Sequence, residues 1–441
     1  MTAPATLVSE PSEVGLPPLD ATTARRVQVG PATVFGGDGF PHRRHADGAA
    51  VPHPILGTYL LKGYLDAYER SGQYDQLQAA SVVARGALAR MQEFRGSRAF
   101  WYQPGWKLSS WVSRPHYSAL TQAYYGVELA RLARLSDDPR MAEAADEVMR
   151  SLLVPVADGG VLVTVQDNPA FEEAPVQPVS LILNGWLSVL ASTTRYAELS
   201  GIGEWRDLVV ASLDAVERIL PWYDVGTLAL SRYSLLGYLY GRLRLQGGET
   251  RVRAARLEAS GGPPVDIPWV PADEGQGRYR SWFNPADVNE YGVLSRTARV
   301  NLVPTRFGWP VRNVLVLQLD SEQSQTCALD LQETHYDPLA PAPVPDGWQR
   351  VARFGLAPGR NDVRIELPWT AMPLVGFPTN FRKRTPAGVS AYHDIHVKRL
   401  QALGEDYDRP ELLAWSALWR EYQKRWPQVP ELAALYGEES A

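Results

Sequence analysis

The chain has 441 residues, 45% hydrophobic and 21% charged, with a formal net charge of -5. That is the composition of an ordinary globular protein long enough for two or three domains, and its acidic balance gives no reason to expect nucleic acid as a partner. The one cysteine, Cys327, excludes an internal disulfide and any cysteine-based zinc site, no apolar run reaches the length of a membrane span, and the N-terminus lacks a secretory pattern, so a cytoplasmic location is expected.

Residues 1–50 are rich in Pro, Gly, Ala and Thr and read as an extended or partly disordered N-terminal arm. A helical regime begins at Pro54, with predicted helices over 54–70, 76–94, 117–135, 139–152, 179–200 and 205–220. Val209, Leu213, Val216 and Leu220 mark one stripe of an amphipathic helix. Asp138-Pro139 is a helix start, with Asp138 capping and Pro139 in the first turn. Short loops between helices of similar length predict antiparallel hairpins, and several in a row suggest an (α/α) toroid or incomplete barrel.

The hydrophobic period changes near Thr250. Ala298, Val300 and Leu302 alternate with polar neighbours, as do Val363, Ile365 and Leu367, and Val314 to Leu319 is a short apolar run. Residues 250–385 therefore read as an antiparallel β-sandwich. After Ser390 the helical pattern returns, with Trp415, Leu418, Trp419 and Tyr422 expected on one face. The fold class expected is mainly α with an inserted all-β domain: a helical unit over 54–245 and 388–430, interrupted by the sandwich at 250–385.

The segment Phe171 to Leu190 carries the chemistry. Glu172 and Glu173 sit in a proline-punctuated turn before an apolar helix, and Asn184-Gly185-Trp186 is embedded in that helix. Asn and Gly are poor helix formers, so a purely structural helix gains nothing from them. The pattern suits a loop that aims acid groups into a pocket floored by the helix, although a solvated turn would also accommodate the two glutamates. His393 and His396 stand three apart on a helix; with no further ligands nearby, structural or substrate hydrogen bonding fits them better than metal binding. Arg382-Lys383-Arg384 precedes Tyr392, and Lys398-Arg399 follows it, which offers cations to an anionic ligand.

Four segments together resemble the C-terminal catalytic domain of the D-glucuronyl C5-epimerases: Pro115 to Gly126 (PHYSALTQAYYG), Phe171 to Trp186 (FEEAPVQPVSLILNGW), Leu220 to Gly226 (LPWYDVG) and Ala391 to Leu403 (AYHDIHVKRLQAL). The resemblance implies that Glu173, Tyr223 and Tyr392 are catalytic, with Glu173 and Tyr392 as opposing proton-transfer groups and Tyr223 polarising the substrate carboxylate or tuning its neighbour. Tyr117, Gln122, Asn184, His393, His396, Arg382 and Arg384 are the substrate-binding candidates. Ala174 stands where the family has a tyrosine, and Ala123 where its motif has a glycine. No cofactor or metal is implied. The expected partner is a glucuronate-containing glycan or glycoconjugate, with a homodimer as an open assembly state. Two other readings share these features: a polysaccharide lyase that abstracts the same C5 proton and then eliminates, and a non-catalytic glycan-binding protein. A glycoside hydrolase fits less well, because no motif places a second acid.

Overall fold

The computed structural model describes residues 15–27, 33–44, 48–103, 115–165, 167–173, 175, 179–226, 229–235, 239–259, 264–269, 281–303, 312–335, 344–367 and 390–429. Its helices are α1 (Ala21–Val27), α2 (Pro54–Ser71), α3 (Tyr74–Leu88), α4 (Ala119–Ser136), α5 (Pro139–Arg150), α6 (Leu183–Ser200), α7 (Gly203–Tyr223), α8 (Ala391–Asp406) and α9 (Pro410–Arg425). Consecutive helices pair as α2 with α3, α4 with α5, α6 with α7 and α8 with α9. The even-numbered helices also line up with one another, α4 packing against both α2 and α6, and α6 against α8. One hydrophobic core runs through this set, from Leu60 and Leu129 through Trp186 and Val216 to Leu400 and Trp419.

Local signals explain much of this. Val209, Leu213, Val216 and Leu220 of α7 are fully buried, as their spacing requires. The Asp138 carboxylate accepts from the Arg140 N–H, and Pro139 opens α5. Elsewhere the boundaries move. The helix expected over 76–94 stops at Leu88, because Arg95 and Gly96, both at positive φ, turn a hairpin between Gln92–Phe94 and Ser97–Ala99. The helix expected from 179 starts only at Leu183, because 179–182 is held extended by side chains described below. In α9, Trp419 and Tyr422 point inward while Leu418 is exposed; one residue is a 100° step around the helix.

The N-terminal arm corrects the expectation of an extended segment. Its described residues form α1 and a three-stranded antiparallel sheet of Thr33–Phe35, Pro41–Arg44 and Ala50–Pro52. Val27 and Phe40, fully buried in the helical core, anchor it despite the Pro- and Gly-rich composition.

The β-rich region holds two antiparallel sheets. In the five-stranded sheet the order is Trp282–Phe283, Thr297–Leu302, Leu239–Leu245, Gln325–His335, Val344–Leu356; in the four-stranded sheet it is Val265–Asp266, Thr250–Ala259, Asn313–Ser321, Gly359–Glu366. Both contribute to a second hydrophobic cluster that includes Leu243, Val300, Leu317, Cys327 and Ile365. This region begins earlier than the sequence suggested: Leu239–Leu245 is a strand, not the tail of the helical unit ending at 245. Leu239, Leu243 and Leu245 are buried and alternate with half-buried Tyr240, Arg242 and Arg244, a period of two. Among the described residues, no helix is long and apolar enough to cross a membrane.

Candidate active site

The two glutamates of Phe171 to Leu190 have opposite surroundings. A hairpin of Leu162–Val165 and Asn168–Phe171 delivers them, and the Glu172 N–H closes it by donating to the Val161 carbonyl at 2.8 Å. The Glu172 carboxylate is buried and accepts three hydrogen bonds: from the Ser180 N–H at 3.0 Å, the Ser180 hydroxyl at 2.6 Å and the Leu181 N–H at 2.6 Å. Burial pushes its pKa up to about 7 even against these donors. Leu181 is held at φ +47, an uncommon conformation for a branched residue, and its carbonyl accepts from the Tyr223 hydroxyl at 2.6 Å. The chain on either side is tied down as well, by the Leu183 N–H to the Tyr233 carbonyl and the Leu235 N–H to the Ser180 carbonyl. Glu172 and Tyr223 thus clamp the strained entry to α6.

Glu173 is free of such ties. Its Oε2 is buried and has no hydrogen-bond partner among the described residues, and burial together with the Glu172 charge raises its pKa to about 7. The carboxylate lies against the backbone of Gly185: a Cβ there would stand 2.8 Å from Oε2. This accounts for a glycine inside an apolar helix, since α6 must leave room for the acid. Next to it, Asn184 presents a buried Oδ1 that has no partner among the described residues.

Two tyrosines, Tyr59 and Tyr102, lie within electrostatic reach of this carboxyl, and a third, Tyr392, lies within reach of Tyr59. Tyr59 of α2 is within electrostatic reach of Glu173, Tyr392, Tyr124 and Arg26, and its ring lies 6.2 Å from that of Tyr124. Tyr102 is fully buried, stacks on His116 at 5.6 Å, shares a 2.8 Å hydrogen bond with Thr121, and also feels Glu173 and Tyr59. Tyr392, half-buried in the first turn of α8, packs edge-to-face on Tyr233 at 4.8 Å. Tyr59 also lines a cleft of about 870 Å³ walled by α1, α2, α4, α6 and α8. Glu173 and Tyr392 are not among the cleft-lining residues, so Tyr59 stands at the junction between cleft and carboxyl.

The other residues picked from the sequence divide clearly. Tyr223 is fully buried, and its hydroxyl is committed to Leu181, so it supports the site from beneath and does not open on it. Gln122 is a structural bracket: its Oε1 accepts from the Phe100 N–H, and its Nε2 donates to the Arg98 carbonyl and to the Ser151 hydroxyl. Tyr117 is buried and donates to the Ser151 carbonyl at 2.7 Å. Neither is free to hold a substrate. The His393 Nδ1 accepts from the Ser231 N–H at 3.0 Å, which leaves Nε2 as the donor to the Trp419 carbonyl at 2.8 Å. Its pKa falls to about 4 by burial, and that of His396, bonded to the Ser231 hydroxyl at 2.7 Å, falls well below the ordinary value for the same reason. The histidine pair is a neutral knot tying 230–231 to α8 and α9. Arg382, Lys383, Arg384 and Ala174 lie outside the described residues. Tyr59 and Tyr102 belong to none of the four motifs; the only signal available for Tyr59 was its place in the mostly buried first half of α2.

A helical-hairpin protein with a partnerless acid beside tyrosines and a cleft calls for comparison with carbohydrate-active proteins. Residues 98–243 match the family described as D-glucuronyl C5-epimerase C-terminus. Within the match lie three of the four motifs, including Glu173 and Tyr223. The D-glucuronyl C5-epimerase of Caenorhabditis elegans is 26% identical over 136 residues, 28% of this chain and 20% of that protein. The chain therefore spans about a fifth of that relative's length. Among solved structures, the endo-beta-1,4-glucanase CMCax from Acetobacter xylinum is similar at TM-score 0.35 and 13% identity, over 48% of this chain and 62% of that one. An endoglucanase from Komagataeibacter sucrofermentans is similar at TM-score 0.33 and 14% identity, over 44% and 56%.

Proposed function

We propose that this protein is a uronate C5-epimerase-like isomerase, which removes and returns the C5 proton of a glucuronate residue in a glycan or glycoconjugate. The observation that carries the reading is the Glu173 carboxyl: inside the family-matched stretch, without a protein partner, poised near neutral pKa, and given space by Gly185. A group that must accept and return a proton at neutral pH works best when its own pKa lies there.

The C5 proton of a glucuronate is α to the carboxylate, and its loss leaves enediolate-like charge. Glu173 takes that proton on one face, and the Tyr392 hydroxyl delivers one to the other. Burial raises the Tyr59 phenol, which keeps it protonated as a donor to the developing charge. Glu173 ends protonated and Tyr392 ends as the phenolate, the ring atom inverts, and the product is an isomer with no carbon–oxygen bond broken. Tyr223 and Glu172 act as positioning residues through the 180–182 segment. In this reading the helical hairpins form an incomplete (α/α) toroid with the site at one end, and the two sheets form a β-sandwich inserted between α7 and α8.

The test is C5 proton exchange on a glucuronate-containing glycan in deuterated water. Glu173→Gln and Tyr392→Phe should each slow exchange by about 10²–10⁴-fold, the usual share of one acid–base group, with the fold retained. An undiminished rate in Glu173→Gln would remove the basis of the proposal.

A further inference from the structure

The cleft in front of Tyr59 has a charge imbalance that the proton-transfer reading does not use. It is lined by six cations, Arg25, Arg26, Lys62, Arg131, Arg195 and Arg399, against three carboxylates, in a chain whose net charge is -5. Each carboxylate already has a cationic partner. Arg131, only 10% exposed, pairs with Asp66 at 2.9 Å, Glu69 at 2.8 Å and Glu128 at 2.5 Å, and Lys62 pairs with Asp66 at 2.6 Å. Arg195 is paired with Glu198. The charge left over belongs to α1 and α8: Arg26 and Arg399 form no ion pair among the described residues, and the Arg25 Nε donates to the Ala21 carbonyl of its own helix.

The position of α1 is fixed for this. Thr23, Ala24 and Val27 turn inward, the Asp20 carboxylate caps the helix through the Thr22 and Thr23 N–H groups, and the Tyr64 hydroxyl donates to the Pro17 carbonyl. Thr23 seats directly on Gly63 of α2, where a Cβ would lie 2.4 Å from Thr23 Oγ1. That close approach sets Arg26 over the cleft, within electrostatic reach of Tyr59. The cleft volume of about 870 Å³ lies in the range of sites for discrete small ligands.

We infer that Arg26 and Arg399 form an oxyanion site in this cleft, which holds a phosphoryl or similar dianionic group attached to the glucuronate whose C5 proton is exchanged. Guanidinium forks suit tetrahedral oxyanions, and a positive cleft in an acidic protein concentrates such ligands. The inference rests on the reading of Glu173 as the proton-transfer group, since that places the sugar at Tyr59 and its acidic substituent toward Arg26.

The experiment is isothermal titration of the full chain with glucuronic acid 1-phosphate, methyl glucuronoside and inorganic phosphate. Wild type should bind the sugar phosphate at least about tenfold more tightly than either other probe, the scale of one charge-assisted contact. Arg26→Gln and Arg399→Gln should each abolish that preference, Gly63→Ala should weaken it by displacing α1, and Glu173→Gln should keep it. Equal affinity for sugar phosphate and methyl glucuronoside in wild type, or a preference that survives both arginine substitutions, overturns the inference. So does inorganic phosphate binding as tightly as the sugar phosphate. C5 exchange scored separately distinguishes the two failures: a silent wild type with an intact arginine-dependent preference rejects the epimerase reading alone.

Discussion

Replacing Glu173 by Gln perturbs a group whose electrostatics can be worked out from its surroundings. The carboxyl goes from an ordinary 4.5 in the unfolded chain to about 7 in the folded one. An acid with a raised folded pKa binds more protons folded than unfolded between those values. Its contribution to stability is therefore intact below about 4.5 and is lost as pH rises through 7. At about 1.4 kcal/mol per unit, the loss has a ceiling of ~3 kcal/mol, and relaxation together with coupling to Glu172 reduces the expected value to about 1–2 kcal/mol. Glutamine has the same shape and no charge, so the variant should be more stable than wild type at pH 8 by about that amount and equal to it near pH 4. Urea unfolding across this range provides the measurement. Equal stability at both ends, or a variant less stable at pH 8, would mean that the carboxyl is solvated or paired and would refute the argument.

Gly185→Ala should move the Glu173 carboxylate, because the new Cβ would sit 2.8 Å from Oε2; C5 exchange should fall by at least about tenfold, measured by NMR, although alanine is the better helix former by about 1 kcal/mol. Tyr223→Phe leaves the Leu181 carbonyl unsatisfied and should cost about 1–2 kcal/mol in urea unfolding, while slowing exchange far less than Tyr392→Phe does. Gln122→Leu strands the Phe100 N–H, the Arg98 carbonyl and the Ser151 hydroxyl, and should destabilise by about 2–4 kcal/mol in the same assay, consistent with a bracket and not with a substrate contact.

Periodicity carried the sequence reading where packing follows from one element at a time. The stripe of α7, the cap of α5, the alternating strands near 300 and 365 and the short apolar strand near 315 are local patterns, and each is present. What was not legible depends on partners distant in sequence. The start of α6 at Leu183 is set by Glu172 and Tyr223 holding 180–181, a tertiary override of an apolar run that otherwise continues the helix. The described part of the N-terminal arm is anchored by Val27 and Phe40 reaching the helical core, which its composition conceals. The paired glutamates and the Asn-Gly step, singled out in the sequence, lie against each other in the structure, Glu173 on Gly185. Sequence order could not say which glutamate is clamped and which is free, because the deciding donors sit at Ser180 and Leu181. Gln122 and Tyr117 belong to one of the four motifs, yet their polar atoms are used up inside the protein. Tyr59 lies in no motif, because its nearness to Glu173 comes from the packing of α2 and not from a local pattern.

The account stands most directly on one measurement: the product formed from a glucuronate-containing glycan or glycoconjugate by wild-type protein in deuterated water, read by NMR at C5. The prediction is deuterium at C5 in residues of both configurations, with no unsaturated uronate. Unsaturated uronate would instead assign the same proton abstraction to an elimination. A C5 position that stays fully protonated, on a ligand the protein demonstrably binds, would contradict the assignment of Glu173 as a proton-transfer group.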